Sequence, residues 1–182
     1  MLGYVIGGIV VLLIIVSFIM YNSFVNADNR VKEAFSTMDV YLKKRWDLIP
    51  NLVEVVKGYA KHEKETLTEV INLRNNNYDN MSNKEKLDIN TKLAEDISKI
   101  MMLAEAYPEL KANENFLNLS KELTEVEDEI ANSRKYYNAT VRIFNNKVEM
   151  FPSNIVAKVM KFKVKDMFEA SNEERKNIKI DI

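Results

Sequence analysis

The chain has no cysteine and only one histidine, three prolines and four glycines in 182 residues. Without cysteine there is no disulfide framework, no thiolate zinc site and no cysteine nucleophile, and the composition fits a reducing compartment. His62 is the sole imidazole, so a transition-metal site has almost no nitrogen ligands to draw on. His62-Glu63 is not the start of an HExxH zinc helix, because residue 66 is Thr. Gly3, Gly7 and Gly8 lie at one end, leaving Gly58 alone in the remainder. That scarcity excludes a phosphate-cradling glycine loop and allows few tight hairpin turns. No serine sits in a glycine-flanked elbow. Catalytic, cofactor-binding and metal-binding residues are therefore all read as none, and the protein as not an enzyme. The formal net charge of −1 gives no strong field for nucleic acid.

Charge is missing altogether from residues 1–27. The apolar run from Leu2 to Tyr21 has the length of about 20 residues that a helix needs to cross a hydrocarbon core. It exceeds the roughly 7–15 residues of a signal-peptide core and has no basic segment before it, which argues for a retained anchor. Tyr4 and Tyr21 stand near its two ends, as interfacial aromatics do. Arg30, Lys32, Lys43, Lys44 and Arg45 follow on one side, so the positive-inside rule puts the bulk of the chain in the cytoplasm.

Beyond the anchor, helical periodicity dominates. Phe116, Leu119, Leu123, Val126, Ile130, Tyr137, Val141, Phe144, Val148 and Phe151 alternate three and four apart, with Ser133 in the one polar slot. This coiled-coil-like seam predicts a helix from about Asn115 to Met150, stopped by Pro152. A second seam runs from Val31 through Leu42, Ile49 and Val56 to Val70, with Pro50 inside it. Either two helices meet at Pro50, with Asp47 capping the second, or one helix is kinked there. The asparagine-rich residues 72–83 read as a loop. A further helix follows from about Lys84 to Pro108, and a short amphipathic piece from Asn154 to about Met160. The tail alternates, as in Phe162-Lys163-Val164-Lys165, which suggests an extended segment. Its lysines read as a solvated, frayed terminus, with anionic lipid as the competing reading.

One polar constellation stands out. Glu127, Arg134, Asn138 and Asn145 recur at intervals of seven, four and seven beside the last seam. Arg45 occupies a slot between Leu42 and Ile49, and Glu63 one between Ala60 and Leu67. Charges on a core stripe are costly unless paired. Arg45, Glu63, Glu127 and Arg134 are therefore expected to pair inside or at the edge of a bundle, with Asp47 and Asn138 beside them. Such a network either rejects wrong helix pairings or forms a pocket for a ligand or partner.

Three blocks of the sequence resemble the LemA family: RWDLIPNLVEVVKGYAKHE from Arg45 to Glu63, AEAYPELKANENF from Ala104 to Phe116, and EDEIANSRKYYNATVRIFN from Glu127 to Asn145. The Phe151-Pro152 pair follows the last block as in that family. Phe144 departs from a usual tyrosine, and Ser133 from a usual alanine. The resemblance implies an all-α protein, an N-terminal transmembrane helix followed by an antiparallel four-helix bundle. It also implies a single-pass membrane protein without established catalysis. Family genes lie near membrane zinc metalloproteases, which points to membrane protein quality control or stress response.

The expected organisation is a transmembrane anchor at 1–27, a LemA-like helical bundle at 28–160 and a tail at 161–182, extended or poorly ordered. The expected partners are the lipid bilayer, through residues 2–21, and another membrane protein, with a membrane metalloprotease suggested by family association. The expected function is a non-catalytic, membrane-anchored interaction module. The alternative is a regulator or sensor that binds a small ligand in the polar interior of the bundle.

Overall fold

The computed structural model describes residues 1–60, 64–73 and 77–168, all of them helical or in connecting segments, with no strand among them. The elements are α1 (Leu2–Tyr59), α2 (Lys64–Leu73), a 3-10 turn (Tyr78–Asn80), α3 (Asn83–Glu105), α4 (Pro108–Lys111), α5 (Glu114–Glu149) and α6 (Ser153–Val159). The chain divides into two compact units. One combines Met1–Thr37 with Ser133–Phe168, and the other is built mainly from Met38–Asn132.

α1 passes through Pro50 without ending, so of the two readings of that proline, two helices or one, the single helix holds. Proline removes one backbone hydrogen bond and costs about 3 kcal/mol in a helix interior. Against that, Ile49, Leu52, Val53 and Val56 are all buried around it. Each such side chain gains about 1.5–3 kcal/mol from full burial, so holding the seam in register outweighs the proline. The interruption falls instead at Ala60, the first non-helical residue after α1. The expected second helix, Asn51 to Arg74, is thus the end of α1 followed by α2; Arg74 and residues 61–63 lie outside the described residues.

α3 and α5 lie within one or two residues of their expected starts. Ser82 caps α3 through a reciprocal box: its hydroxyl accepts from the Glu85 backbone N–H at 3.3 Å, and the Glu85 carboxylate accepts from the Ser82 N–H at 2.7 Å. The Ser82 hydroxyl, which donates to that carboxylate at 2.6 Å, and then the Ser82 N–H hold the Glu85 carboxyl below its usual range. The expected loop before α3 is not featureless, because Tyr78 from the 3-10 turn is buried at 3% exposure.

In the first unit the core is aromatic. Phe24 meets Phe144 edge-on at 6.2 Å and stacks on Phe162 at 4.8 Å. Phe35 meets Tyr137 edge-on at 5.7 Å. In the second unit Met38, Leu42, Ile49 and Val56 of α1 are buried, as are Leu93 and Ile100 of α3 and Leu123, Val126 and Ile130 of α5. The first eighteen residues of α1 are exposed throughout. An 18-residue window of this helix has mean hydropathy 2.8 and none of it is buried, so by length and composition it can cross a membrane.

Candidate functional site

The second unit holds a buried polar cluster. Arg45 of α1 is only 2% exposed. A buried guanidinium needs its donors occupied. Nη1 donates to the Glu127 carboxylate of α5 at 2.5 Å. Nη2 donates to the Asn90 backbone carbonyl at 2.7 Å and to its side-chain oxygen at 3.0 Å, which Nε also approaches at 3.3 Å. The Asn90 amide in turn donates to the Lys86 carbonyl at 2.9 Å. One arginine thereby ties three helices, α1, α3 and α5, through fixed partners.

A second set of groups in the same unit surrounds Tyr78. Its hydroxyl donates to Asp39 at 2.8 Å, and Lys86 donates to the other oxygen of that carboxylate at 2.6 Å. The Tyr78 ring packs on Trp46 at 5.3 Å and lies under the Lys86 ammonium at 4.8 Å. Burial, and then the bond to the Asp39 carboxylate, push the Tyr78 phenol far above its ordinary value. A phenol so held is a neutral donor, not a base.

In the first unit two asparagines of α5 hold the segment after α6. Asn138 accepts from the Phe168 backbone N–H and donates to the Phe168 carbonyl, both at 2.8 Å. Asn145 does the same to Lys165, accepting at 2.8 Å and donating at 2.9 Å. Each side-chain amide thus pairs with a backbone as a neighbouring strand would. Lys165 also pairs with Asp28 at 2.7 Å, and Tyr137 donates to the Asp166 carbonyl at 3.1 Å. Residues 162–168 are therefore an ordered, extended strap, not a frayed terminus; the tail from 169 onward lies outside the described residues.

The sequence pattern of the LemA family matches residues 34–182. The chain belongs to the LemA family. Protein LemA of Metamycoplasma hominis is 26% identical over 159 residues, covering 86% of this chain and 72% of that protein. Two proteins of Paramagnetospirillum magneticum, magnetosome protein MamQ 1 and magnetosome protein MamQ 2, are each 22% identical over 175 residues. The alignment covers 82% of this chain but 64% of either magnetosome protein, so it leaves about a third of their length unmatched.

The blocks that resemble the LemA family contribute unequally to these clusters. Arg45 and Glu127 are brought together, and Asn138 holds the strap. Arg134 lies in the other unit, its guanidinium 4.4 Å from the Phe168 ring centre. Asp47 is exposed and paired with Lys43 one turn away at 2.7 Å; with α1 unbroken, it caps no helix. Glu63 and His62 lie outside the described residues. Phe144, where the LemA family usually has tyrosine, is 1% exposed among Phe24, Phe162 and the Lys165 ammonium. Asn90, Tyr78, Asp39 and Lys86 escaped the sequence reading. Asn90 was within reach: it precedes Leu93, Ile97, Ile100 and Ala104 at the same three-four spacing and fills a seam slot with an amide. Tyr78 carries no such signal: its partners Asp39 and Trp46 lie on α1, more than 30 residues upstream.

Proposed function

We propose that the protein is a single-pass, membrane-anchored interaction module with no catalytic role, its bulk in the cytoplasm. The observation that supports this reading is the exposed apolar length of α1. An apolar surface on every side of a helix is tolerable in lipid and a liability in water. The anchor corresponds to residues 1–27, the helical bundle to 28–160 and the tail to 161–182.

The bundle itself is proposed as antiparallel, with α1, α2, α3 and α5 as its four long helices. Partner order within each unit supports this. Phe24 pairs with Phe144 and Phe35 with Tyr137 in one. Lys44 pairs with Glu122, and Tyr59 with Asn113, in the other. As numbers rise along α1 they fall along α5 and the turn before it.

The module's task is to hold another membrane protein. The family resemblance suggests a membrane metalloprotease and a part in membrane protein quality control, and relatives named as magnetosome proteins support membership of a larger assembly. The alternative is a sensor of a small ligand. It draws on a polar cleft of about 510 Å³ lined by Asn51, Glu54, Asn115, Asn118 and Glu122. The occupied donors of Arg45 favour a register role for the buried cluster over a ligand pocket.

Carbonate extraction of membranes tests the anchor: the full-length chain stays in the pellet, and a shortened chain released to the supernatant refutes it. A tag placed after Ile182 tests orientation. It resists protease in intact cells and is cut after lysis, and cleavage in intact cells reverses the assignment. Crosslinking in the membrane from exposed positions of α5 then identifies the partner. A ligand-dependent rise in melting temperature with no crosslinked protein favours the sensor instead.

A further inference from the structure

We propose that α6 and the turn after it form a second, interfacial contact with the same bilayer that α1 crosses, seated among anionic lipid headgroups. The proposal rests on the membrane-spanning reading of α1. Its first support is position. Phe162 stacks on Phe24 at 4.8 Å and touches Tyr21 at 6.2 Å. Met160 closes a groove of about 600 Å³ against α1 side chains that include Val10, Leu13, Ser17 and Tyr21. Ser17 lies one turn inside Tyr21, about 6 Å along a helix. Met160 thus lines a groove shared with the last turns of the apolar run, the level at which interfacial helices lie.

The second support is what faces outward there. Phe151 is 79% exposed, Ile155 56%, Val159 70% and Met160 50%. Ile155 and Val159 are four apart and share one face of α6, while Ala157 is buried at 1% and fastens the other face to the first unit. The turn that ends α6 is a Schellman motif. Phe162 N–H donates to the Ala157 carbonyl at 2.9 Å and Lys161 N–H to that of Lys158 at 3.4 Å, with Lys161 at φ 60°. That left-handed residue turns the chain from α6 into the strap, so the exposed apolar side chains are set at the anchor's end.

Charge supplies the third support. Residues 151–165 contain no acid, and Lys158, Lys161 and Lys163 are all exposed. Lysines beside an apolar wedge at the end of a membrane helix match anionic headgroups above an acyl layer.

The absence of cysteine makes the test clean. Single variants Ile155→Cys, Val159→Cys, Ile9→Cys and Lys121→Cys of the full chain are spin-labelled and reconstituted into phosphatidylcholine–phosphatidylglycerol vesicles. Labels at 155 and 159 are expected to collide with oxygen more than with a polar nickel chelate, as at 9, while 121 shows the reverse. Nickel access at 155 and 159 with protection at 9 overturns this proposal and leaves the anchor standing. Nickel access at 9 overturns both. Spin–spin broadening at 155 that disappears on dilution with unlabelled chain means that a second copy covers the face, which also overturns it. In phosphatidylcholine alone the label at 159 shifts toward water, and an unchanged depth overturns the anionic preference.

Discussion

The buried guanidinium of Arg45 makes an asymmetric prediction. Glu127→Gln leaves a cation at 2% exposure that has lost the Glu127 carboxylate and keeps the neutral oxygens of Asn90. Stranding one member of a fully buried pair costs about 3–5 kcal/mol. The Glu127 side chain is 44% exposed, so solvent screens its share and water reaches the vacated side. The expected loss is about 2 kcal/mol, between the buried-pair figure and the ~0–1 kcal/mol of a surface pair. Arg45→Met instead removes the charge, keeps most of the stem's packing and leaves Glu127 facing water. Its main cost is an unsatisfied Asn90 amide oxygen, about 1 kcal/mol. The double variant has no charge to strand and should match Arg45→Met, above Glu127→Gln alone. At about 2–4 °C per kcal/mol for a chain of this size, Glu127→Gln melts about 4–8 °C below the parent and the other two about 2–4 °C below it. Thermal unfolding of the full chain in detergent, followed by circular dichroism, reads all four proteins. Losses that simply add in the double variant would show that the pair is not coupled and that this account of Arg45 is wrong.

Asn138→Ala and Asn145→Ala each remove two bonds to the strap and should cost about 1–3 kcal/mol. Trypsin should then cut at Lys163 and Lys165 faster than in the parent, and unchanged cleavage counts against a docked strap. Tyr78 should be absent from an alkaline absorbance titration until the chain unfolds. Its raised phenol favours the folded state below the free tyrosine value of about 10 and loses that contribution at higher pH, so Tyr78→Phe flattens the alkaline loss of stability. Asp28 behaves oppositely. Burial raises its carboxyl, but the bonds and charges of Lys165 and Lys32 prevail and hold it below the ordinary value. That stabilisation is present above about pH 4 and lost as pH falls through the lowered value, so Asp28→Asn should lose less stability in acid than the parent.

What could be read from sequence was what depends on neighbours three and four residues away. The seam from Phe116 to Val148 defined α5 almost to the residue, and the apolar run from Leu2 stood out by composition. Pro50 left two readings open, because a local penalty could not be weighed against the distant surfaces that bury Ile49 and Val56 around it. The break at Ala60 has no comparable local signal. The polar line through Asn138 and Asn145 was visible, but its target was not. Each asparagine binds a backbone 20 or 30 residues away, and backbone groups leave no mark in a sequence. Tyr78 was hidden for a related reason: its contacts, Asp39 and Trp46, lie on a helix far upstream.

The continuity of α1 bears on how this protein can be released or trimmed. A protease needs an extended stretch of chain, and between Leu2 and Tyr59 there is none. Cutting after Ala27, where the composition first turns charged, would sever a helix inside a packed core. It would discard Phe24, which is 1% exposed, and the Ser23 hydroxyl that accepts from Lys147 at 2.6 Å. A fragment that keeps Ser23 and Phe24 must begin at or before Ser23, hard against the apolar run that ends at Tyr21. Release by a cut after Ala27 and an intact aromatic core are, for this chain, mutually exclusive.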